Sequence, residues 1–292
     1  MDQVREWLSA AGWEPICECA RTGSEEHNMP VDATNLRFDL ALAARYTSAA
    51  QRIRVMSEAW AATHLYCPEC GSRPLQRYPH NARAADLLCP KSSCGEQYEL
   101  KSGKRIGRKV VNGDYVTLLQ RLQSISNPNL ILLSYQPDTH FVNTVQIVPR
   151  LLFTPAAIEP RKRLSAPARR AGWQGCNILL ENISSTGLIK IIDNGVFIPE
   201  VNVRLQWASL SFLKKTGDIK ERTWLLSTLR LIESFKQREF NLAEIYSREA
   251  DFVNMFPSNK HIKAKLRQQL QRLRDAGQIE FLGMGRYRRI SG

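Results

Sequence analysis

No stretch of this 292-residue sequence approaches the roughly 20 consecutive apolar residues that a bilayer span needs. The opening Met-Asp-Gln-Val-Arg-Glu is no signal peptide. No membrane partner is expected, and the cytoplasm is the default compartment. Acidic residues are outnumbered: 28 Asp and Glu against 41 Lys and Arg leave a formal charge of +13. Such a balance favours a polyanionic partner, of which nucleic acid is the commonest, although a basic surface with no partner is the plainer alternative. No internal repeat is visible. Disulfides are not expected either, because seven cysteines in a reducing compartment suggest metal or thiol chemistry instead. What is present is a 43% hydrophobic composition, which makes the chain globular, with room for one large domain or two modest ones.

Residues 1–36 read as an N-terminal extension, with a short amphipathic turn around Val4, Trp7 and Leu8 and a second candidate start at Met29. From Leu36 to Ala61 the apolar residues recur at helical spacing. After a cysteine-rich segment, residues 101–114 read as a polar loop and 115–125 as a helix. Leu130–Tyr135 and Phe141–Val148 are expected strands, bounded by Asn-Pro and Pro-Asp turns. Together these predict a mixed α/β domain ending near residue 180, then a linker over 181–217. A second unit follows: a helix over 222–236, a helix from Leu242 capped by Asn241, and a helix over about 259–276. Two strands around a glycine turn close the chain. Three helices followed by a hairpin is the order of a winged helix.

Cys67, Cys70, Cys89 and Cys94 have the spacing C-x2-C-x18-C-x4-C. Two close pairs of thiolates suit a tetrahedral Zn²⁺, and Gly71 and Gly95 supply the tight backbone at each knuckle. Four cysteine ligands leave no open position, so the expected zinc is structural. The lone Cys176 reads as a small buried hydrophobe, and Cys17 and Cys19 are given no role.

Asp86 precedes Cys89 in Ala-Ala-Asp-Leu-Leu-Cys, and Glu99 and Lys101 follow Cys94 in Gln-Tyr-Glu-Leu-Lys-Ser. In a strand, residues two apart share a face, so Glu99 and Lys101 point together while Leu100 turns to the core. A hairpin across the Cys89–Cys94 knuckle would bring Asp86 beside Glu99. Two carboxylates holding Mg²⁺, with an ammonium beside them, suit phosphodiester hydrolysis. On residue types alone, the triplet is also an ordinary charged hairpin face.

Arg161-Lys-Arg163, with Arg169, Arg170 and Trp173, forms a basic loop with one aromatic, suited to phosphate and guanine contacts. Taken alone, Trp173 reads as a core residue. In the third helix of the second unit, Ile262, Leu266, Leu270 and Leu273 share one face. Ser258, Asn259, Lys260, His261, Lys263 and Arg267 are then left at its N-terminal half, the end that recognition helices present to the major groove. His261 reads equally as a solvated histidine. The basic Arg286-Tyr-Arg-Arg suits a wing touching phosphate.

At these residues the sequence resembles the PD-(D/E)xK nucleases, and more closely the methyl-directed type IIM restriction endonucleases of the Dpn I kind. The likeness runs from about Phe38 to the C-terminus. It is carried by Tyr66-Cys-Pro-Glu-Cys-Gly, Ala85-Asp, Tyr98-Glu-Leu-Lys-Ser, Asn127-Pro-Asn, Ala168-Arg-Arg-Ala-Gly-Trp-Gln-Gly-Cys-Asn-Ile, Asn259-Lys-His-Ile-Lys and Arg267-Gln-Gln-Leu-Gln. Ala85 stands where the motif has proline, and the Cys89–Cys94 gap is longer than the pattern. The resemblance implies an α/β (α+β) PD-(D/E)xK core with a four-cysteine zinc site over 37–180, then an α+β winged-helix domain over 218–292. It further implies Asp86, Glu99 and the Leu100 carbonyl as Mg²⁺ ligands, Lys101 beside the water, and Trp173 in the pocket that senses the adenine methyl. The implied activity is that of a type II site-specific deoxyribonuclease cutting double-stranded GATC that carries N6-methyladenine. Oligomeric state stays open, with a monomer in solution the default. Two other readings stand beside this one: a repair or resolving nuclease of the same superfamily, and a zinc-containing winged-helix transcription regulator. The carboxylate–lysine set argues against the regulator, and the Trp173 loop against the other nuclease.

Overall fold

The computed structural model describes residues 36–78, 85–124 and 127–290. Val4, Trp7, Leu8, Cys17, Cys19 and Met29 lie outside them. The apolar run from Leu36 does not form one helix. A 3-10 turn over Leu40–Ala43 is followed by helix α1, Ala49–His64. Ser48 separates them, its extended backbone (φ −73°, ψ 123°) holding the N-cap position without a side-chain capping hydrogen bond. Leu36 and Phe38 are buried, while Leu40 and Leu42 face solvent.

Strands β1 (Gln76–Arg77), β2 (Leu87–Leu88), β3 (Gln97–Gly103), β5 (Asn129–Tyr135), β6 (Val142–Val148), β9 (Ile189–Asp193) and β10 (Val196–Phe197) form a seven-stranded sheet in the order β1-β2-β3-β5-β6-β9-β10. The β3–β5 pair is parallel and the other pairs are antiparallel. All seven residues of β5 are buried, as expected of a central strand.

A second, three-stranded sheet in the order β4-β8-β7 joins β4 (Lys109–Asp114), β8 (Gly175–Leu179) and β7 (Ile158–Pro160). Residues 101–114 are therefore not simply a loop. They hold the end of β3 and all of β4, whose exposed and half-buried residues alternate. With so little apolar signal, β4 owes its form to pairing with β8 rather than to propensity. Helix α2 (Tyr115–Arg121) follows, capped by Asp114, which accepts from Thr117 N–H at 2.9 Å.

The expected linker over 181–217 is likewise corrected. Ile189, Ile191 and Ile192 are fully buried on β9, which extends the large sheet beyond β6. Helix α3 (Glu200–Ala208) returns to the cysteine-rich segment. There Trp207 Nε1–H donates to Glu69 Oε2 (2.7 Å) and Lys214 Nζ to Glu69 Oε1 (2.6 Å).

The C-terminal unit comprises α4 (Ile219–Ser234), β11 (Glu239–Asn241), α5 (Leu242–Ser247), α6 (Glu249–Met255), α7 (Ile262–Asp275), β12 (Ile279–Gly283) and β13 (Arg286–Arg289). Asn241 and Glu244 form a reciprocal capping box at the start of α5. The expected second helix is thus two short ones, and β11 joins the hairpin as a third strand in the order β11-β13-β12. Trp224 stacks between α4 and the α6 region against Phe256, with ring centroids 3.9 Å apart. Among the described residues, no helix is long and apolar enough to cross a membrane.

Candidate active site and nucleic-acid interface

Strand β3 organises two sites on its two faces. Tyr98 and Leu100 point inward, at 0% and 9% exposure, while Glu99 and Lys101 are half-buried on the opposite face. On the inner side, Tyr98 O–H donates to Cys67 Sγ at 3.0 Å. The sulfurs of Cys67, Cys70, Cys89 and Cys94 all lie within 4.8 Å of one another. Cys67–Cys94 is 3.7 Å and Cys70–Cys89 is 3.4 Å. A tetrahedral Zn²⁺ with bonds of about 2.3 Å sets neighbouring sulfurs about 3.8 Å apart, so four cysteines at this spacing could hold a metal such as zinc. Each knuckle closes on a backbone hydrogen bond, Gly71 N–H to Cys67 O (2.7 Å) and Cys94 N–H to Lys91 O (2.9 Å). Gly71 has φ +75°, a left-handed conformation that favours glycine; the atoms a Cβ there would meet, led by Arg204 Nη1 at 2.9 Å, are ends of flexible side chains that can move aside. Burial pushes the Cys67 thiol well up, a cost that a coordinated cation would remove.

On the outer face, β2 and β3 pair with Leu87 opposite Tyr98. Continuing that register by one residue sets Asp86 opposite Glu99. Asp86 N–H donates to Tyr98 O (2.9 Å), and the Asp86 carboxylate accepts from Leu100 N–H (2.8 Å). A strand residue's N–H and C=O face the same edge, so the Leu100 carbonyl faces the edge that holds Asp86. Lys101 Nζ lies 2.6 Å from Glu99 Oε1, and Asn112 Nδ2 lies 3.5 Å from Glu99 Oε2. The three residues expected to be catalytic thus meet in one cleft of about 890 Å³, which Leu100 and Arg170 also line.

Helix α1 adds groups that the sequence reading did not single out. Glu58, 8% exposed, accepts from Arg54 Nε (2.5 Å) and Arg77 Nη2 (3.2 Å), and Arg54 Nη2 lies 3.7 Å from Asp86 Oδ1. Burial pushes the Asp86 carboxyl above the usual aspartate value. The Leu100 N–H opposes that shift, the Glu58 and Glu99 carboxylates reinforce it, and Arg54 opposes it. The Arg54/Glu58 spacing of four was visible as a helical ion pair. That this pair faces the cleft follows only from how α1 packs on β3.

The basic loop joins β7 to β8. Its stem is held by Leu164 N–H to Trp173 O (2.9 Å) and Gly172 N–H to Leu164 O (3.0 Å). Arg169 and Arg170 are exposed, and Arg170 lines the cleft with Asp114 and Arg121. Trp173 is half-buried, with the Arg170 guanidinium 5.0 Å from its ring centroid and Gly175 beneath it. It is therefore neither a core tryptophan nor a free one.

In α7, Ile262, Leu266, Leu270 and Leu273 are buried, at 3%, 0%, 0% and 0% exposure. The helix begins at Ile262, so Ser258, Asn259, Lys260 and His261 form the turn that enters it. Asn259 Oδ1 accepts His261 N–H at 2.8 Å. Lys263 pairs with Glu249 (3.4 Å) and lies over the Tyr246 ring, whereas Lys260, His261 and Arg267 are exposed. None of these residues lines the Asp86 cleft.

Two family models match the chain. One, described as DpnI: Dam-replacing family, matches residues 34–216, and the second, described as Dam-replacing HTH domain, matches residues 220–289. The boundary between them falls at the start of α4.

Proposed function

The chain belongs to the Dam-replacing family, and from that premise we propose that it is a Mg²⁺-dependent type II restriction endonuclease of the PD-(D/E)xK kind. Its substrate would be double-stranded DNA bearing N6-methyladenine in GATC. The observation that carries the chemistry is the pairing of Asp86 with Glu99 and Lys101 across β2 and β3, in a cleft rimmed by Arg170.

Asp86, Glu99 and the Leu100 carbonyl are the groups that would hold Mg²⁺. Their fit rests on Asp86: a carboxylate made unfavourable by burial and by two neighbouring carboxylates is relieved by a divalent cation. When bound, the ion neutralises phosphate charge and lowers the pKa of its water. Lys101, kept on the cleft face by Glu99, orients the attacking water and stabilises charge on the phosphate oxygens. Arg170 and Arg121 would steady the flanking backbone. Zn²⁺ at the four cysteines would clamp the β2–β3 hairpin and take no part in hydrolysis.

Reading of the site would be divided. Trp173 and the Arg169–Arg170 turn would meet the methylated base near the cleft, where an indole face gains dispersion from a methyl group. Ser258, Asn259, Lys260, His261, Lys263 and Arg267 would enter the major groove. The test is cleavage of a methylated plasmid with Mg²⁺. Wild-type protein should give fragments ending at GATC, Asp86→Ala none, and Lys101→Ala a rate about 10²–10³-fold lower. Tight binding by wild-type protein without any cleavage would move the chain to the class of DNA-binding regulators.

A further inference from the structure

Met284, at the tip of the wing, has a side chain that no packing explains. It lies in the turn between β12 and β13 and is wholly exposed (102%). Burying a methionine side chain is favourable, so the folded chain alone gains nothing by holding one in water. Its backbone is left-handed (φ +50°), a conformation that few non-glycine residues adopt. Gly283 (φ +90°) and Gly285 (φ +73°) on either side let the chain make so sharp a point.

The tip is also held in place. Leu242 N–H donates to Gly285 O at 2.9 Å, tying the turn to the start of α5. Below it, Tyr287 packs against Phe240 and Phe281, with centroids 5.6 and 5.2 Å away, and Phe281 is itself 46% exposed. Arg286 is exposed and has no ion pair among the described residues, whereas Arg288, two residues further along the same strand, is held by Glu239 (2.9 Å) and Glu280 (3.3 Å). One protruding apolar side chain beside the unpaired Arg286 is unlike a protein-docking patch, which needs a contiguous apolar area of several hundred Å². It matches a nucleic-acid groove, where phosphates line the outside and stacked bases the inside.

We propose that Met284 is an apolar wedge: the wing enters the minor groove, the Met284 side chain inserts at a base step and partly unstacks it, and Arg286 meets the adjoining phosphate. Wedges of this chemistry kink the duplex and let it wrap more protein surface. An unbranched thioether side chain adapts to the gap it opens. Pyrimidine–purine steps unstack most easily, so the wedge adds a preference for such a step beside the recognised site. This rests on the DNA-binding reading above and adds to it a residue that distorts the duplex.

The test uses the full chain with duplexes carrying one methylated GATC, Ca²⁺ in place of Mg²⁺, and 2-aminopurine at successive positions in and beside the site. Anisotropy reports binding, 2-aminopurine fluorescence reports unstacking, and energy transfer between the duplex ends reports bending. Wild-type protein should raise the fluorescence at one step and shorten the end-to-end distance. Met284→Leu should keep both signals. Met284→Ala should lose both while the dependence of binding on salt stays the same. Signals in Met284→Ala equal to wild type, or bound wild-type protein with no unstacking, would overturn the wedge alone. Absence of any complex with wild-type protein would overturn the DNA-binding reading, and the wedge with it.

Discussion

Asp86 shows at single-residue scale why a site of this kind is costly to hold. Its carboxyl is raised by burial and by the Glu58 and Glu99 charges, against the pull of the Leu100 N–H and Arg54. The folded chain therefore binds this proton more tightly than the unfolded chain does. Below the ordinary aspartate value the group costs nothing; as pH rises through that value to the raised one the penalty grows, and above it the penalty is complete. Asp86→Asn should accordingly raise the melting temperature of the Mg²⁺-free protein at neutral pH, with a gain that shrinks on acidification, while abolishing cleavage. A lower melting temperature across the whole pH range would contradict this balance. The Glu99/Lys101 pairing was legible in the sequence because a strand's period of two needs no tertiary information. Glu58 was not, because a helix face is assigned only once its packing partner is known. Trp173 lies between: taken alone it reads as a core residue and only the resemblance points to an exposed role, while its half-burial under Arg170 required the fold. Trp173→Ala should leave folding intact and cut the preference for methylated over unmethylated sites, read as the ratio of cleavage rates. An unchanged ratio would remove Trp173 from the sensing role.

At the scale of elements, the β2–β3 hairpin joins the two centres. Tyr98 reaches Cys67 on one face, while Glu99 and Lys101 lie on the other. Two-residue β2 has little stability of its own, so a metal held by the four cysteines would govern the geometry of the Asp86 cleft indirectly. Cys89→Ser should lower the zinc content measured by elemental analysis, lower the melting temperature, and lower activity without altering site preference. Full zinc occupancy in that variant would contradict the four-cysteine site. The cysteine spacing made this element readable in advance. Strands β4 and β9 were not, for opposite reasons. The first has almost no apolar pattern and forms by pairing with β8. The second is apolar, but it belongs to a segment whose long-range partner, β6, lies about 45 residues earlier. Helix α4 ties the C-terminal unit to the core. Glu233 accepts from Ser184 Oγ–H (2.7 Å), Ser185 N–H (3.1 Å) and Thr186 N–H (3.4 Å), and Arg222 donates to Leu122 O (2.7 Å). Glu233→Ala removes the charged acceptor shared by Ser184, Ser185 and Thr186 and should destabilise the protein by about 1–3 kcal/mol in denaturant titration.

For the molecule as a whole, charge and connectivity set the behaviour. The excess of 13 positive charges is spread over both units, at Arg169 and Arg170 beside the cleft and at Lys260, Arg267 and Arg286 on the C-terminal unit. Binding to duplex DNA should weaken steeply as salt rises, with a slope set by the number of phosphates neutralised. The order of helices and hairpin made the C-terminal unit readable, because the short-range signals (the Asn241 cap, the α7 stripe and the glycine turn) all agree with its fold. The most direct test of methyl-directed cleavage uses three duplexes that differ only in one GATC: unmethylated, methylated on one strand, and methylated on both. With Mg²⁺, double-strand cleavage is expected for the fully methylated duplex alone, and none with Asp86→Ala. Equal cutting of all three by wild-type protein would contradict the methyl-directed reading while leaving the nuclease intact.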